Sequence, residues 1–259
     1  MSEFDNPDHW TSAAARYERN AHPYTARYAE AALSHVPLTP AWRVLDVAAG
    51  TGALALAAAR TGADVLATDF SPGMVALITE KRVPNVQARV MDGQALDLPD
   101  ASFDAVFSMF GVFLFPDWRA GLAEMARVTR PGGYGVVAAW EGRGAGPFLL
   151  LGNLIQALFP ERELAPMPDS MTLLGTERGL AGALRDAGYH DPQIERVTRD
   201  FDLEMSLLDD ADGLFGASPD WTGLTDAQRR TIIAEIGRRA DGRPRLPVAS
   251  TAMIGVARR

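Results

Sequence analysis

Between residues 44 and 59 the chain reads VLDVAAGTGALALAAA. An acid, Asp46, stands near the end of an apolar stretch, and a turn almost free of side chains follows at Ala48, Gly50 and Gly52. A second acid, Asp69, closes DVLATD, and a third, Asp92, opens Asp92-Gly93-Gln94 after VQARVM. An ionised carboxylate only accepts hydrogen bonds, and its two oxygens can hold two donors at once. Acids repeated at strand ends around a bare turn suit a ligand rich in hydroxyl and amino donors. Taken alone, the glycines also fit a plain strand-to-helix reversal. They fit a dinucleotide fingerprint as well: GTGALA matches G-x-G-x-x-A, and Asp69 stands roughly 20 residues on, where a ribose-binding acid belongs.

These residues need rigid carriers, and the apolar spacing predicts them. Thr11 or Ser12 caps a first helix over AAARYE, and a second follows over YTARYAEAALSHV, stopped by Pro37 and Pro40. A strand over 43–48 and a helix over 52–60 flank the glycine turn. DVLATDF is the next strand, with Ser71 capping a helix that has Pro72 at its first position. VQARVM and FDAVFSM are strands three and four. PDWRAGLAEMARVTR is an amphipathic helix with Trp118, Leu122, Met125 and Thr129 inward, stopped by PGG before the strand YGVVAAW. Strands alternating with helices predict a parallel sheet with right-handed crossovers and helices on both faces.

Residues 141–175 break this rhythm with glycines and prolines around the apolar FLLLGNLIQALF, and read as a lid inserted into the sheet. A helix over 176–187 with Gly188 past its end, a strand over 193–203, a helix near 225–239 opened by a Thr225-to-Gln228 capping box, and a strand over 248–257 complete the reading. The expected division is one domain, with a helical cap at 1–40, a cofactor-binding core at 41–140, the lid at 141–175 and sheet completion at 176–259.

LDVAAGTG, with its acid four residues before the first glycine, resembles motif I of the class I methyltransferases that use S-adenosylmethionine. Asp69, MDGQALDLPDASFDAVFSMF and EMARVTRPGG continue the resemblance in order, toward the ubiquinone/menaquinone-type and bacterial small-molecule tailoring branch. Ala48 stands where the family commonly has its first glycine. The resemblance implies a Rossmann-like, doubly wound, seven-stranded sheet whose last strand is antiparallel and lies beside strand 193–203. It implies S-adenosylmethionine as cofactor and S-adenosylhomocysteine as its product. Backbone at Ala48, Gly50 and Gly52 would lie against the methionine portion, and Asp46 would hold the ammonium end. The other role open to Asp46 is to accept loop N–H groups. Asp69 would take the ribose hydroxyls, and Asp92 the adenine amino group with Gly93 and Gln94 beside the ring. Phe70 and Met74 would pack on adenine, and Ser108 and Met109 would face the methionine end.

The acceptor then belongs beyond the carboxyl ends of the strands. Phe110 and Phe113 after strand four, with Phe148, Met167 and Met171 from the insertion, suggest a pocket for a small apolar or aromatic molecule. Methyl transfer is an in-line displacement for which orientation provides most of the acceleration, and a base matters only when the acceptor must lose a proton. Tyr17, His22, Tyr24 and Tyr28 are the candidates for that role. Natural-product biosynthesis is the pathway style that the resemblance suggests. An NAD-dependent reductase would need a Tyr-x-x-x-Lys set, but Leu77 stands four residues before Lys81, the chain's one lysine. A non-catalytic adenosylmethionine-binding protein would keep the 43–109 motifs without an acceptor cavity.

Composition narrows the field further. A formal charge of −8 argues against nucleic-acid binding. The absence of cysteine excludes thiolate nucleophiles and zinc–thiolate sites, and the four histidines show no metal-ligand spacing, so no metal is expected. MSEFDNPDHW lacks the apolar core of a signal peptide, and no apolar run is long enough to span a bilayer. A cytoplasmic enzyme that does not associate with membranes is expected, with a small-molecule acceptor as its partner.

Overall fold

The computed structural model describes residues 5–216 and 218–259, so residues 1–4 of the N-terminal stretch read above lie outside the described residues. In chain order its elements are α1 (Pro7–Asn20), α2 (His22–Leu33), β1 (Arg43–Val47), α3 (Ala53–Ala59), β2 (Asp64–Asp69), α4 (Pro72–Glu80), β3 (Val86–Val90) and β4 (Phe103–Met109). There follow α5 (Trp118–Val128), β5 (Thr129–Trp140), α6 (Gly146–Leu158), α7 (Asp169–Leu174), α8 (Glu177–Asp186), β6 (His190–Glu204), α9 (Ala211–Phe215), α10 (Pro219–Thr222), α11 (Asp226–Ala240) and β7 (Arg245–Arg258).

Among the described residues seven strands form one sheet in the order β3-β2-β1-β4-β5-β7-β6, with β7 antiparallel to both neighbours. The expected Rossmann-like sheet is therefore present. Val44, Leu45, Val106, Phe107, Val136 and Val137 are fully buried along its middle strands, the apolar run that a strand covered on both faces requires. The chain winds outward from β1 in one direction through β2 and β3, and in the other through β4. The two carboxyl ends of β1 and β4 thus form the switch point at which open sheets of this kind bind ligands.

Local signals placed most elements, and the exceptions have physical reasons. α1 starts at Pro7, earlier than Thr11, because Asn6 accepts from the Asp8 N–H at 2.9 Å and proline suits the first helical position. Ser12 instead donates to the His9 carbonyl. The PGG after α5 does not stand outside the next strand: β5 begins at Thr129 and includes it, with an irregular register opposite Phe103 and Ala105. Gly133 permits this, since a Cβ there would come within 2.8 Å of the Asp104 carbonyl. The Thr225–Gln228 capping box forms as expected at α11.

The chain makes two compact units, one of Met1–Ala139, Leu173–Val197 and Ala252–Arg259, the other of Trp140–Thr172 and Thr198–Thr251. Most of the segment read as a lid, 141–175, thus packs with residues read as sheet completion. The second unit has a core of its own from Leu150, Leu154, Ile155, Phe215, Trp221, Ile232 and Ile236. Within it the Trp221 indole donates to Asp212 at 2.7 Å, and Asp220 holds both Arg143, at 2.9 Å, and the Ala165 N–H.

Candidate functional site

Two turns meet at the switch point. After β1 the backbone enters the left-handed region at Ala48 (φ 54°), Gly50 (54°) and Gly52 (88°), and after β4 it does so at Phe110 (65°). Glycine takes this conformation freely, whereas Ala48 and Phe110 pay about 1–2 kcal/mol each. Strain of this kind persists where surrounding structure over-determines it, and it clusters at functional sites. The turns touch: a Cβ on Gly111 would stand 2.4 Å from the Ala48 Cβ and 3.0 Å from the Ser108 Oγ. Ser108 is fully buried, and its hydroxyl has no hydrogen-bond partner among the described residues.

Asp46 and Asp69 end adjacent strands, both buried. Asp46 Oδ2 accepts from the Ala55 N–H at 3.0 Å, capping the first turn of α3 from the strand. Asp69 accepts from Gly50 N–H at one oxygen and Ser71 N–H at the other, both at 2.9 Å, so one carboxylate ties the glycine turn to the turn that follows β2. Burial pushes the Asp46 carboxyl up to about 8, against the Ala55 N–H and reinforced by the charge of Asp69. Burial likewise raises Asp69 to about 6, despite its two backbone donors. A group this costly to ionise in the bare protein favours a ligand that brings positive charge and donors.

The N-terminal helices cover this edge. The Tyr17 ring rests on Gly50, its Cε1 3.3 Å from where a Cβ would stand. Burial of the phenol, followed by the charge of Asp69, pushes its pKa up to about 12. His22 Nδ1 lies 2.8 Å from Thr51 Oγ1 and 3.3 Å from Glu18 Oε2. Burial and then the Lys81 ammonium hold the imidazole below its usual range, against the pull of Glu18. Lys81 donates to the Thr51 carbonyl at 2.7 Å and pairs with Glu18 at 2.9 Å. Tyr24 and Tyr28 form a buried pair with hydroxyls 2.7 Å apart, and the Tyr28 ring meets Phe110 edge-on at 5.4 Å.

The remaining expected residues divide by place. Asp92 is exposed, and its Oδ1 accepts from both nitrogens of Gln94, a turn that β3 feeds. Gly93 is required there, since a Cβ would come within 2.6 Å of the Phe115 ring. Phe70 and Met109 are half-buried, while Met74 and Phe113 are core residues. Phe148, Met167 and Met171 belong to the second unit, where Phe148 is 41% exposed. Glu18, Thr51, Lys81 and Gly111 escaped the sequence reading. The i,i+4 spacing of Glu18 and His22 and the solitary lysine were the signals that could have marked the first and third.

Among the described residues no group of three or more His, Asp or Glu side chains gathers to hold a metal, and no helix is long and apolar enough to cross a membrane. Two surface cavities, of about 410 and 280 Å³, open elsewhere, beside Arg127 and Arg259 and beside Tyr134 and Arg258.

Residues 44–133 match the model of a methyltransferase domain. Over 171 residues the chain is 37% identical to demethylmenaquinone methyltransferase of Mycolicibacterium gilvum, a match covering 62% of this chain and 74% of that one. It is 48% identical over 104 residues to the enzyme of the same name from Corynebacterium efficiens, covering 40% of this chain and 44% of that one. Among solved structures, a Haloferax volcanii complex between the Trm112 methyltransferase activator and a putative methyltransferase aligns with a TM-score of 0.61 at 23% identity, over 100% of this chain and 98% of that one. The glycine turn with its acids, the seven-stranded sheet and these matches lead to one conclusion: the chain belongs to the class I S-adenosylmethionine-dependent methyltransferases.

Proposed function

We propose that this chain transfers the methyl group of S-adenosylmethionine to a small aromatic acceptor, the reduced (hydroquinone) form of a quinone, bound on the apolar side of the switch point. The observation that carries the reading is the buried pair Asp46 and Asp69 at adjacent strand ends, facing a turn with almost no side chains. Their raised carboxyls fit a cationic ligand, and the partnerless buried hydroxyl of Ser108 fits a polar one. The names of the relatives favour a quinone ring over other apolar acceptors. A natural-product ring of similar chemistry is the second acceptor class to test.

In this proposal Ala48, Gly50 and Gly52 offer backbone to the methionine portion, with Ser108 and Met109 across the switch point. Asp46 takes the ammonium end. Asp69 keeps a second lone pair on each oxygen beyond its backbone bonds, and these accept the ribose hydroxyls. Asp92, Gly93 and Gln94 with Phe70 and Met74 receive the adenine. When bound, S-adenosylmethionine supplies a methyl on a sulfonium that departs as a neutral thioether. The chain's own part is to orient the acceptor, exclude water with Tyr17 and Phe110, and handle a proton where the acceptor must lose one. The Tyr24–Tyr28 pair, with hydroxyls 2.7 Å apart, serves that last role as a relay, in which one phenol accepts the acceptor's proton while the other releases its own to water. His22, already engaged with Thr51, acts through the position of the helices.

The test is calorimetric titration with S-adenosylhomocysteine and with NAD, followed by transfer of labelled methyl to reduced naphthoquinones, simple phenols and amines. Binding of S-adenosylhomocysteine and label in the naphthoquinone product are expected. Tighter binding of NAD, or label entering only amines, would overturn the reading. Binding without transfer to any acceptor would replace it with a non-catalytic role.

A further inference from the structure

α1 lies across both turns that carry the acids. At one end Thr11 Oγ1 stands 3.0 Å from Ser71 Oγ and accepts from the Gly73 N–H at 3.3 Å. Gly73 lets the helix come this close, since a Cβ there would lie 2.8 Å from the Thr11 Cα. At the other end Tyr17 rests on Gly50, and the next residue, Glu18, reaches the Lys81 ammonium at 2.9 Å. Lys81 also donates to the Thr51 carbonyl, and His22 Nδ1 meets the Thr51 hydroxyl. Groups from α1, α2, the glycine turn and the end of α4 thus converge on Thr51. Their side chains are only 31% (Glu18), 19% (His22) and 25% (Lys81) exposed. Hydrogen bonds from Thr51 and Lys81 hold the Glu18 carboxyl below the usual range although burial opposes its ionisation.

A ligand that lies against Gly50 and reaches Asp69 has α1 above it, and Tyr17 already touches Gly50. Exchange of such a ligand requires this end of α1 to lift, and the groups around Thr51 are what oppose lifting. We propose that Glu18 and Lys81 are positioning residues for cofactor exchange: by clasping α1 to Thr51 they fix Tyr17 over the glycine turn and set how long the cofactor or its spent product is retained. This rests on the cofactor assignment made above. A compact ammonium with three donors can serve a carbonyl and a carboxylate together, which accounts for a lysine here in a chain whose other basic residues are arginines.

The absence of cysteine permits a chemical test. Lys81→Cys is alkylated either with 2-bromoethylamine, which restores an ammonium of nearly the same reach, or with iodoacetamide, which leaves a neutral amide. Dissociation of S-adenosylhomocysteine is followed by stopped flow. The amide form should release it at least tenfold faster than the unmodified chain, and the amine form within threefold of it. KM for S-adenosylmethionine should rise in the amide form far more than kcat changes. Equal dissociation rates in the two alkylated forms would overturn the clasp, whereas failure of the unmodified chain to bind S-adenosylhomocysteine would overturn the cofactor assignment instead. Should Lys81→Cys not fold, Glu18→Gln carries the same test, with at least fivefold faster release expected and an unchanged rate refuting the proposal.

Discussion

Asp46 should make both stability and cofactor binding depend on pH, with opposite signs. Burial disfavours its charged form and pushes the carboxyl up to about 8 in the folded protein, against an ordinary value of about 4. Between about pH 4 and 8 the native state therefore holds a proton that the unfolded state has lost. Stability of the ligand-free protein falls as pH rises through this window, with a limiting slope of ~1.4 kcal/mol per pH unit from Asp46 and as much again from Asp69 below about pH 6. Below the window both states are protonated, and the contribution is fully present. At pH 7 about nine-tenths of Asp46 and about one-tenth of Asp69 carry the proton, from values near 8 and 6. A cationic ligand that ionises both releases roughly one proton in total, so its affinity rises with pH over the range where stability falls. Calorimetry in two buffers of different ionisation enthalpy measures the release, and denaturant melts at pH 5, 6 and 7 measure the stability slope. Asp46→Asn should abolish most of the release and flatten the slope above about pH 6, where Asp69 no longer contributes, while weakening binding. Release below about 0.2 proton at pH 7, or the same release in Asp46→Asn, would refute the assignment of the proton to this site.

Other outcomes follow from the same geometry. Gly111→Ala forces a Cβ to within 2.4 Å of Ala48 and should cost about 1–3 kcal/mol, whereas adding Ala48→Gly should recover most of it; additive effects in denaturant melts would contradict the contact. Asp69→Asn loses the acceptor for one backbone N–H and should weaken S-adenosylhomocysteine about tenfold or more, with faster amide exchange at Gly50 or Ser71 by NMR. Arg127→Met strips donors from the Leu96 and Leu98 carbonyls and leaves Glu124 with the Leu96 N–H but no cation, so the denaturation midpoint should drop by the equivalent of about 2–4 kcal/mol. Hydrogen exchange in residues 10–30 should slow when the cofactor is present; apo protection equal to that of strand 43–48 would sink that idea.

Local signals were readable where one segment carries them whole. Ser71-Pro72 at the start of α4, the Trp118, Leu122, Met125 stripe and the Thr225 capping box need no distant partner, and they stand as expected. The second unit was not readable, because its core joins Leu150 and Ile155 to Ile232 and Ile236 across a stretch that belongs to the first. At the site the acids and glycines carried a pattern, but the partners that shape them did not. No spacing announces that Gly111 must be bare to admit the Ala48 methyl, or that Glu18 will find Lys81. The solitary lysine stands out in the sequence, but nothing there tells which carbonyl and carboxylate it will meet. Asn6 was missed for a simpler reason: Thr11 and Ser12 offered a competing start closer to the apolar stripe.

The place of β7 in the sheet has a consequence for how the chain is made. Among the described residues β6 has one neighbour in the sheet, β7, and β7 is synthesised after it. When β6 leaves the ribosome it has no ladder to join, and β5 presents an open edge beside it. At about 5–20 residues per second, the roughly fifty residues separating the end of β6 from the end of β7 leave both edges bare for seconds. Unpaired edges are templates for pairing with other chains, so the nascent protein is most prone to aggregation in this interval. Truncations or C-terminal fusions that hinder β7 prolong that exposure, and soluble yield should suffer before any loss of cofactor affinity is seen.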